Sequence, residues 1–211
     1  MLSMGGIFMI QKTQLTPGIT EIQTPSKNSV FRSFVIRDPS GNILIDTCME
    51  GDEDAYLNVI KPFHIRTVLL THRHRDHVGA LPALVLAMPH LQVACHADEA
   101  AAMPVPVQLL LADGDLVGNW LRVIHVPGHS AGNIALYHEQ EQVLITGDSV
   151  FGAGGFQGVL STPPAMYSED VELAAKNVRN LLRYPFEKAF LSHGTHLLEN
   201  AYGQIQALLK E

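Results

Sequence analysis

Cysteine is scarce: Cys48 and Cys95 are the only two in 211 residues. That is too few for a disulfide framework, and a reducing, cytoplasmic setting is the expectation. Both read as small buried hydrophobes rather than nucleophiles or ligands. Cationic side chains are also few, with 14 Lys plus Arg against 21 Asp plus Glu and a formal net charge of -7. A nucleic-acid partner, which calls for a basic stripe, is not expected, and the acidic balance serves solubility. No apolar run approaches the roughly eighteen residues needed to span a bilayer, so no membrane partner is expected. Residues 1–10 are apolar but lack a basic leader and a convincing cleavage site. Met1, Met4 and Met9 leave the start open. There is no low-complexity tract and no domain-size linker. With 46% hydrophobic residues, residues 1–211 are expected to form one domain with a full core.

Histidine is plentiful by contrast, and it is unevenly placed. Residues 71–81 read T-H-R-H-R-D-H-V-G-A-L, which puts His72, His74, Asp76 and His77 within six residues. The preceding run, 67–70, is β-branched and leucine-rich and reads as a buried strand. Residues 78–88 read as a helix. The cluster therefore sits where a strand hands over to a helix, the position at which α/β folds place their sites. In an extended segment His72 and His74 point the same way and suit one metal ion. Asp76 and His77, at a helix start, suit a second. Imidazole favours zinc, iron and related ions, and carboxylate adds a harder oxygen.

The rest of the chain alternates short apolar runs with turn signals. One or two strands are expected over 11–23 around Pro17-Gly18, with a polar turn at 25–29. A hairpin of 30–37 and 43–45 follows, joined by Asp38-Pro39-Ser40-Gly41-Asn42. A helix over 52–60 opens with three acids and is stopped by Pro62. A strand is expected over 91–95, a helical piece over 97–102 and an acidic turn over 112–118. A strand over 120–126 precedes a hairpin of 134–137 and 143–145. Residues 151–160 are glycine-rich without an element signature. A helix over 168–182, a strand over 189–192 and a helix over 200–209 complete the chain. This order points to two packed sheets with helices outside, not one parallel sheet.

Five of the strand ends share a pattern, an apolar run followed at once by a ligand-type residue: Asp46, His72 onward, His129, Asp148 and His193. Gathered on one sheet edge, they would meet. His72-Arg73-His74-Arg75-Asp76-His77 resembles the HxHxDH motif of the metallo-β-lactamase superfamily. Gly128-His129-Ser130, Gly147-Asp148 and His193-Gly194 are similar to its later elements, in the same order. Pro127-Gly128-His129-Ser130 and Gly147-Asp148-Ser149-Val150-Phe151 resemble the corresponding stretches of glyoxalase II. The resemblance covers residues 43–194.

That resemblance implies a four-layer αββα sandwich (α/β, or α+β in some schemes) of two mixed sheets flanked by helices. It implies two metal ions, zinc in the first instance with iron or manganese as alternatives. One ion would take His72, His74 and His129 and the other Asp76, His77 and His193, with Asp148 bridging. The implied chemistry is attack by a metal-bridged hydroxide on an ester-like bond (thioester, ester or lactone) of a small acyl substrate. Asp76 and Asp148 would be the catalytic carboxylates. Asp46 would accept a hydrogen bond from a ligand histidine, or alternatively cap the turn at Thr47. A pocket is expected from residues 151–167, with Phe151, Phe156 and Tyr167 as its named members, joined by Asn133, which follows Gly132 where the thioester-cleaving type often carries a second histidine. Arg73 and Arg75 either meet an anionic substrate or answer acidic neighbours. His74, where di-iron flavoproteins of the family carry glutamate, disfavours redox chemistry of that type. The few residues after His193 leave glutathione recognition in doubt. Alternatives are a mononuclear iron sulfur dioxygenase acting on a persulfide, and a non-catalytic metal-binding module. The sequence leaves the oligomeric state open, and a homodimer is compatible with it.

Overall fold

The computed structural model describes residues 9–25 and 29–210. The apolar start, as far as residue 8, and the middle of the expected turn at 25–29 lie outside the described residues. In chain order the strands β1 (Gln11–Gln14), β2 (Ile19–Pro25), β3 (Val30–Ile36) and β4 (Asn42–Ile45) lead to α1 (Glu53–Ile60) and β5 (Ile65–Leu70). Helices α2 (Arg75–Val78) and α3 (Leu81–Ala87) precede β6 (Gln92–His96), β7 (Leu109–Leu111), β8 (Leu116–Val117) and β9 (Leu121–His125). Then come β10 (Ile134–His138), β11 (Val143–Ile145), α4 (Val171–Asn177), β12 (Lys188–Phe190) and α5 (Ala201–Ala207).

The strands form two mixed sheets. One has seven strands in the order β1-β2-β3-β4-β5-β6-β7, and the other has five in the order β12-β11-β10-β9-β8. The first is antiparallel up to β4 and parallel from β4 to β7. In the second only β11 and β12 run parallel.

Side-chain alternation explains why there are four layers. Ile43, Ile45 and Leu69 of the first sheet pack against Val123, Ile134, Leu136 and Ile145 of the second. Their neighbours Leu44, Val68 and Leu70 point the other way and meet Leu57, Ile60, Leu81 and Leu84 from α1 and α3. On the far side Ile124, Ala135 and Leu144 meet Ala201 and Ile205 of α5 together with Val178 and Leu181. Strands covered on both faces need apolar residues at every position, which is why these segments read as continuous hydrophobic runs. Each such side chain contributes about 1.5–3 kcal/mol on burial, so three apolar layers hold the strand ends in fixed relation.

One departure from the sequence reading bears on the site. The helix expected over 78–88 is broken after Val78. The segment following β4 crosses there: Thr47 N–H donates to His77 O at 2.7 Å, and Ala80 N–H donates to Cys48 O at 2.9 Å. Those bonds take backbone groups a continuous helix would have used internally. The acidic turn over 112–118 contains β8, which pairs Leu116 with Arg122 and Val117 with Leu121. Among the described residues no helix is long and apolar enough to cross a membrane. Cys48 and Cys95 are buried free thiols, and burial pushes both up to about 12.

Candidate metal centre

The segments that follow β4, β5, β9, β11 and β12 converge on one edge of the sandwich and bring together the expected ligands. Two glycines make the approach feasible. Gly128 has φ +130, and a Cβ there would lie 2.1 Å from Ala174 N, so only glycine lets the His129 loop rest on α4. Gly147 has φ +51, and a Cβ there would crowd Thr71 Cβ at 2.9 Å. It lets the chain entering Asp148 pass against the start of the His72 stretch.

The side chains form two clusters. His74 Nδ1 lies 3.1 Å from His72 Nε2 and 2.9 Å from His129 Nε2. In the other cluster Asp76 Oδ2 lies 3.1 Å from His193 Nε2 and 3.5 Å from His77 Nε2. Asp148 stands between them. Its Oδ2 is 3.4 Å from His129 Nε2 and 3.5 Å from His193 Nε2, and its Oδ1 is 3.4 Å from His77 Nε2. Donor atoms sharing a tetrahedral ion at roughly 2 Å stand about 3.3 Å apart. The observed spacings are of that size, and each cluster could hold one ion. The buried atoms argue for the same fit. His77 Nε2 and Asp148 Oδ1 have no hydrogen-bond partner among the described residues. Orphaned polar atoms at the centre of a packed site are costly, and a cation would satisfy both.

Asp46 organises the histidines from behind. Its Oδ1 accepts from Thr71 N–H at 2.8 Å, and its Oδ2 accepts from Thr71 Oγ1 and His77 Nδ1, each at 2.8 Å. This bond places a proton on His77 Nδ1, so Nε2 is the ring nitrogen left to face a cation beside Asp76 and Asp148. Thr71 spends its hydroxyl proton on Asp46, so at 3.1 Å it can only accept from His72 Nδ1. One carboxylate thereby sets the tautomer of a histidine in each cluster. Asp46 has φ +58, a left-handed turn held in place by these bonds. The alternative role of capping at Thr47 is not what its oxygens do. Thr71 was not singled out from the sequence, although it opens the quoted motif.

Electrostatics separate the two clusters. Burial, reinforced by His77, pulls His72 well below the ordinary imidazole range. Burial likewise draws His129 down to about 4 and lowers His74. These three nitrogens are bare donors at neutral pH. At His193 burial opposes the charge, but Asp148 and Asp76 overcome it and raise the group to about 9. His77 is raised for similar reasons against the same burial, by Asp148, Asp76 and Asp46. Burial disfavours the charged carboxylates, yet His193 and His77 hold Asp148 well below its usual range, and His77 and His193 lower Asp76.

A cavity of about 510 Å³ opens over the ligands, walled by Phe31, Met49, Phe151, Phe156 and Tyr167 and floored by His74, Asp76, His129, Asp148 and His193. Phe151 stacks on His193 with centroids 5.3 Å apart, and Phe156 meets Tyr167 edge-on at 4.6 Å. Asn133 is a correction. It is fully buried away from the cavity, and its Nδ2 donates to Val126 O at 3.0 Å and Ser149 Oγ at 2.9 Å. It ties together the two loops that carry His129 and Asp148. Met166 points outward, and Leu160 packs under α5 rather than into the cavity. Phe31 was missed because it reaches His193 across the stacked sheets from β3, and Met49 because it sits in the segment after β4 with no local signal. Arg73 pairs with Glu99 and Glu169 and so answers acidic neighbours, whereas Arg75 pairs with Glu50 and also lines the cavity. His96 stacks on His125 at 3.9 Å and His196 bonds Glu21 at 2.9 Å, each outside the cavity wall.

The sequence profile described as the metallo-beta-lactamase superfamily matches residues 32–193. A hydroxyacylglutathione hydrolase of Aeromonas hydrophila is 34% identical over 73% of this chain and 59% of its own length. An atrochrysone carboxyl ACP thioesterase of Pseudocercospora fijiensis is 30% identical over 67% of this chain and 44% of its own length. The chain thus spans about half the length of the curated relatives it matches. Among solved structures, a metallo-beta-lactamase from Pontibacter korlensis superposes with a TM-score of 0.77 at 20% identity, covering 96% of this chain and 100% of its own. TTHA1623 in a di-iron-bound form gives a TM-score of 0.68 at 25% identity, covering 82% of this chain and 92% of its own.

Proposed function

The chain belongs to the metallo-β-lactamase superfamily, and from that premise we propose that it is a metal-dependent hydrolase of an ester-like bond, a thioester in the first instance. The observation that carries the reading is Asp148, one buried carboxylate whose two oxygens face both ligand clusters at 3.4–3.5 Å. The thioester preference rests on two relatives, one named a thioesterase and the other a hydrolase of an acylglutathione.

His72, His74 and His129 would hold one ion and Asp76, His77 and His193 the other, shared through Asp148. Bound there, two zinc ions would supply a water acidified toward neutral pH and a positive charge facing the carbonyl oxygen. Asp76, which lines the cavity floor, would hold the second ion through Oδ2 and leave its other oxygen to accept a hydrogen bond from the attacking water. Asp46 keeps His77 in the tautomer that leaves Nε2 bare. Phe151 and Phe31 exclude bulk water from the His193 side. The overall reaction adds the water oxygen to the acyl carbon, breaks the carbon–sulfur bond and returns a proton to the departing thiolate. Phe31, Met49, Phe156 and Tyr167 would receive an apolar acyl group.

The size of that wall sets a measurable expectation. Phe156→Ala removes an aromatic that only packs, so KM for a phenylacetyl thioester rises about fivefold with kcat little changed. An acetyl thioester shows a much smaller rise. Equal effects on both substrates would place Phe156 outside the acyl site.

The reading itself is tested by metal content and a substrate panel. Protein prepared with balanced metals should bind nearly two equivalents of zinc and turn over thioesters ahead of lactones, phosphodiesters and β-lactams. Iron is the second reading, favoured by the di-iron relative. One iron per chain with oxygen uptake on a persulfide would replace the hydrolase by a dioxygenase. A metal-replete protein inert across the panel would leave a binding module.

A further inference from the structure

A second cavity, about 720 Å³, adjoins the one above the ligands and shares Ser29, Phe156 and His193 with it. The two differ in character. Where the first is walled by aromatics and Met49, the second is lined by the backbone of Gly154 and Gly155, by Ala153 and by Arg32. Arg32 is the one permanently charged side chain among its described lining residues.

Arg32 is held rigidly. Its Nε lies 2.7 Å from Glu21 Oε1, and its Nη1 donates to Ser192 O at 3.2 Å. Glu21 is 2% exposed and is fixed in turn by Gln23 Nε2 at 2.8 Å and His196 Nε2 at 2.9 Å. A buried ion pair of this kind gives little net stability, so it reads better as a device for aiming a group. Among the described residues Nη2 makes no hydrogen bond, and the guanidinium reaches the cavity with that edge uncommitted. Glu21 offsets most of the charge. What remains is a pre-aimed pair of N–H donors, whose side-chain entropy is already lost before any ligand arrives.

We infer that this cavity is a subsite for an anionic group, a carboxylate or sulfonate, carried on the leaving-group arm of the substrate, with Arg32 as its donor. The inference rests on the hydrolase reading for its orientation. An acyl carbon placed over Asp148, with its apolar group among Phe31, Phe156 and Tyr167, directs the leaving arm past His193, where the Arg32 cavity begins.

The test uses two phenylacetyl thioesters that differ only in charge, those of 3-mercaptopropionate and 3-mercaptopropionamide, on the metal-replete protein. The wild type should prefer the anionic ester in kcat/KM by about tenfold. Arg32→Gln should bring that preference close to one. Because Arg32 also holds Ser192 beside His193, its variants can lower both rates together, so the preference and not the rate is read. Ala153 carries the second arm, since it lines the cavity and touches none of the Arg32 bonds. Ala153→Asp should cut the preference and Ala153→Lys should increase it. Calorimetry with the free thiols, 3-mercaptopropionate against 3-mercaptopropionamide, reads the same selectivity without turnover. A wild-type preference near one in both turnover and thiol binding overturns the subsite. So does a preference that neither Ala153→Asp nor Arg32→Gln alters. Failure of both esters to turn over while the thiols still bind with charge selectivity would sink the hydrolase reading and leave the subsite standing.

Discussion

Asp148→Ala should lower turnover by on the order of a thousandfold or more and loosen both ions. The size follows from position. Each of the two clusters has three ligands of its own, but only Asp148 faces both, through Oδ1 toward His77 and Oδ2 toward His129 and His193. Removing it takes away the one negative charge that the two cation sites share and leaves nothing to fix their separation. Without both ions the attacking water returns toward its bulk pKa, which is the main source of the expected loss. The fold should survive, because the layer between the sheets is built from Ile45, Leu69, Ile134, Leu136 and Ile145 and does not include Asp148. Metal per chain, circular dichroism and kcat/KM are measured on the same preparation. Two ions retained with a small rate change would show that Asp148 does not bridge. By contrast Asp76→Asn should keep the three-histidine ion while turnover falls sharply, since that cluster contains no Asp76.

The edge that gathers the candidate metal ligands was legible in the sequence for a physical reason. Asp46, His72, His129, Asp148 and His193 each follow a strand whose apolar run is fixed by burial on both faces, so the ligand positions inherit the strand ends. The four layers were legible too, because Leu44 and Ile45, or Ile134 and Ala135, serve opposite layers while remaining apolar. What escaped depends on contacts between distant segments. The break between α2 and α3 is set by Thr47 and Cys48, some thirty residues away in sequence. Asn133 was read as a pocket residue from its place in a motif, yet its amide is spent on Val126 and Ser149. Phe31 and Arg32 come from β3 of the other sheet, and neither spacing nor composition places them beside His193.

Asp46→Asn should weaken metal binding at the Asp76, His77 and His193 cluster by about 10–100-fold, although the two side chains are nearly the same shape. The backbone bond from Thr71 N–H can persist to the amide oxygen. The other carboxylate oxygen becomes an NH2 group, which donates where Oδ2 accepted from Thr71 Oγ1 and His77 Nδ1. His77 can then keep its bond only by moving its proton to Nε2, the atom that faces Asp76 and Asp148. A protonated Nε2 is no longer a ligand. Thr71 must also turn its hydroxyl, which releases His72 Nδ1, so the three-histidine cluster weakens to a smaller degree. Asp46→Ala makes the complementary case. It withdraws the acceptors without forcing the wrong tautomer, so it should lose stability through the orphaned Thr71 N–H while binding the second ion better than the asparagine variant does. The pair is resolved by stepwise zinc titration against a chromophoric chelator, with chemical denaturation of each variant alongside. Asparagine binding both ions as tightly as the wild type would mean that Asp46 supports the turn and does not set the histidine tautomers.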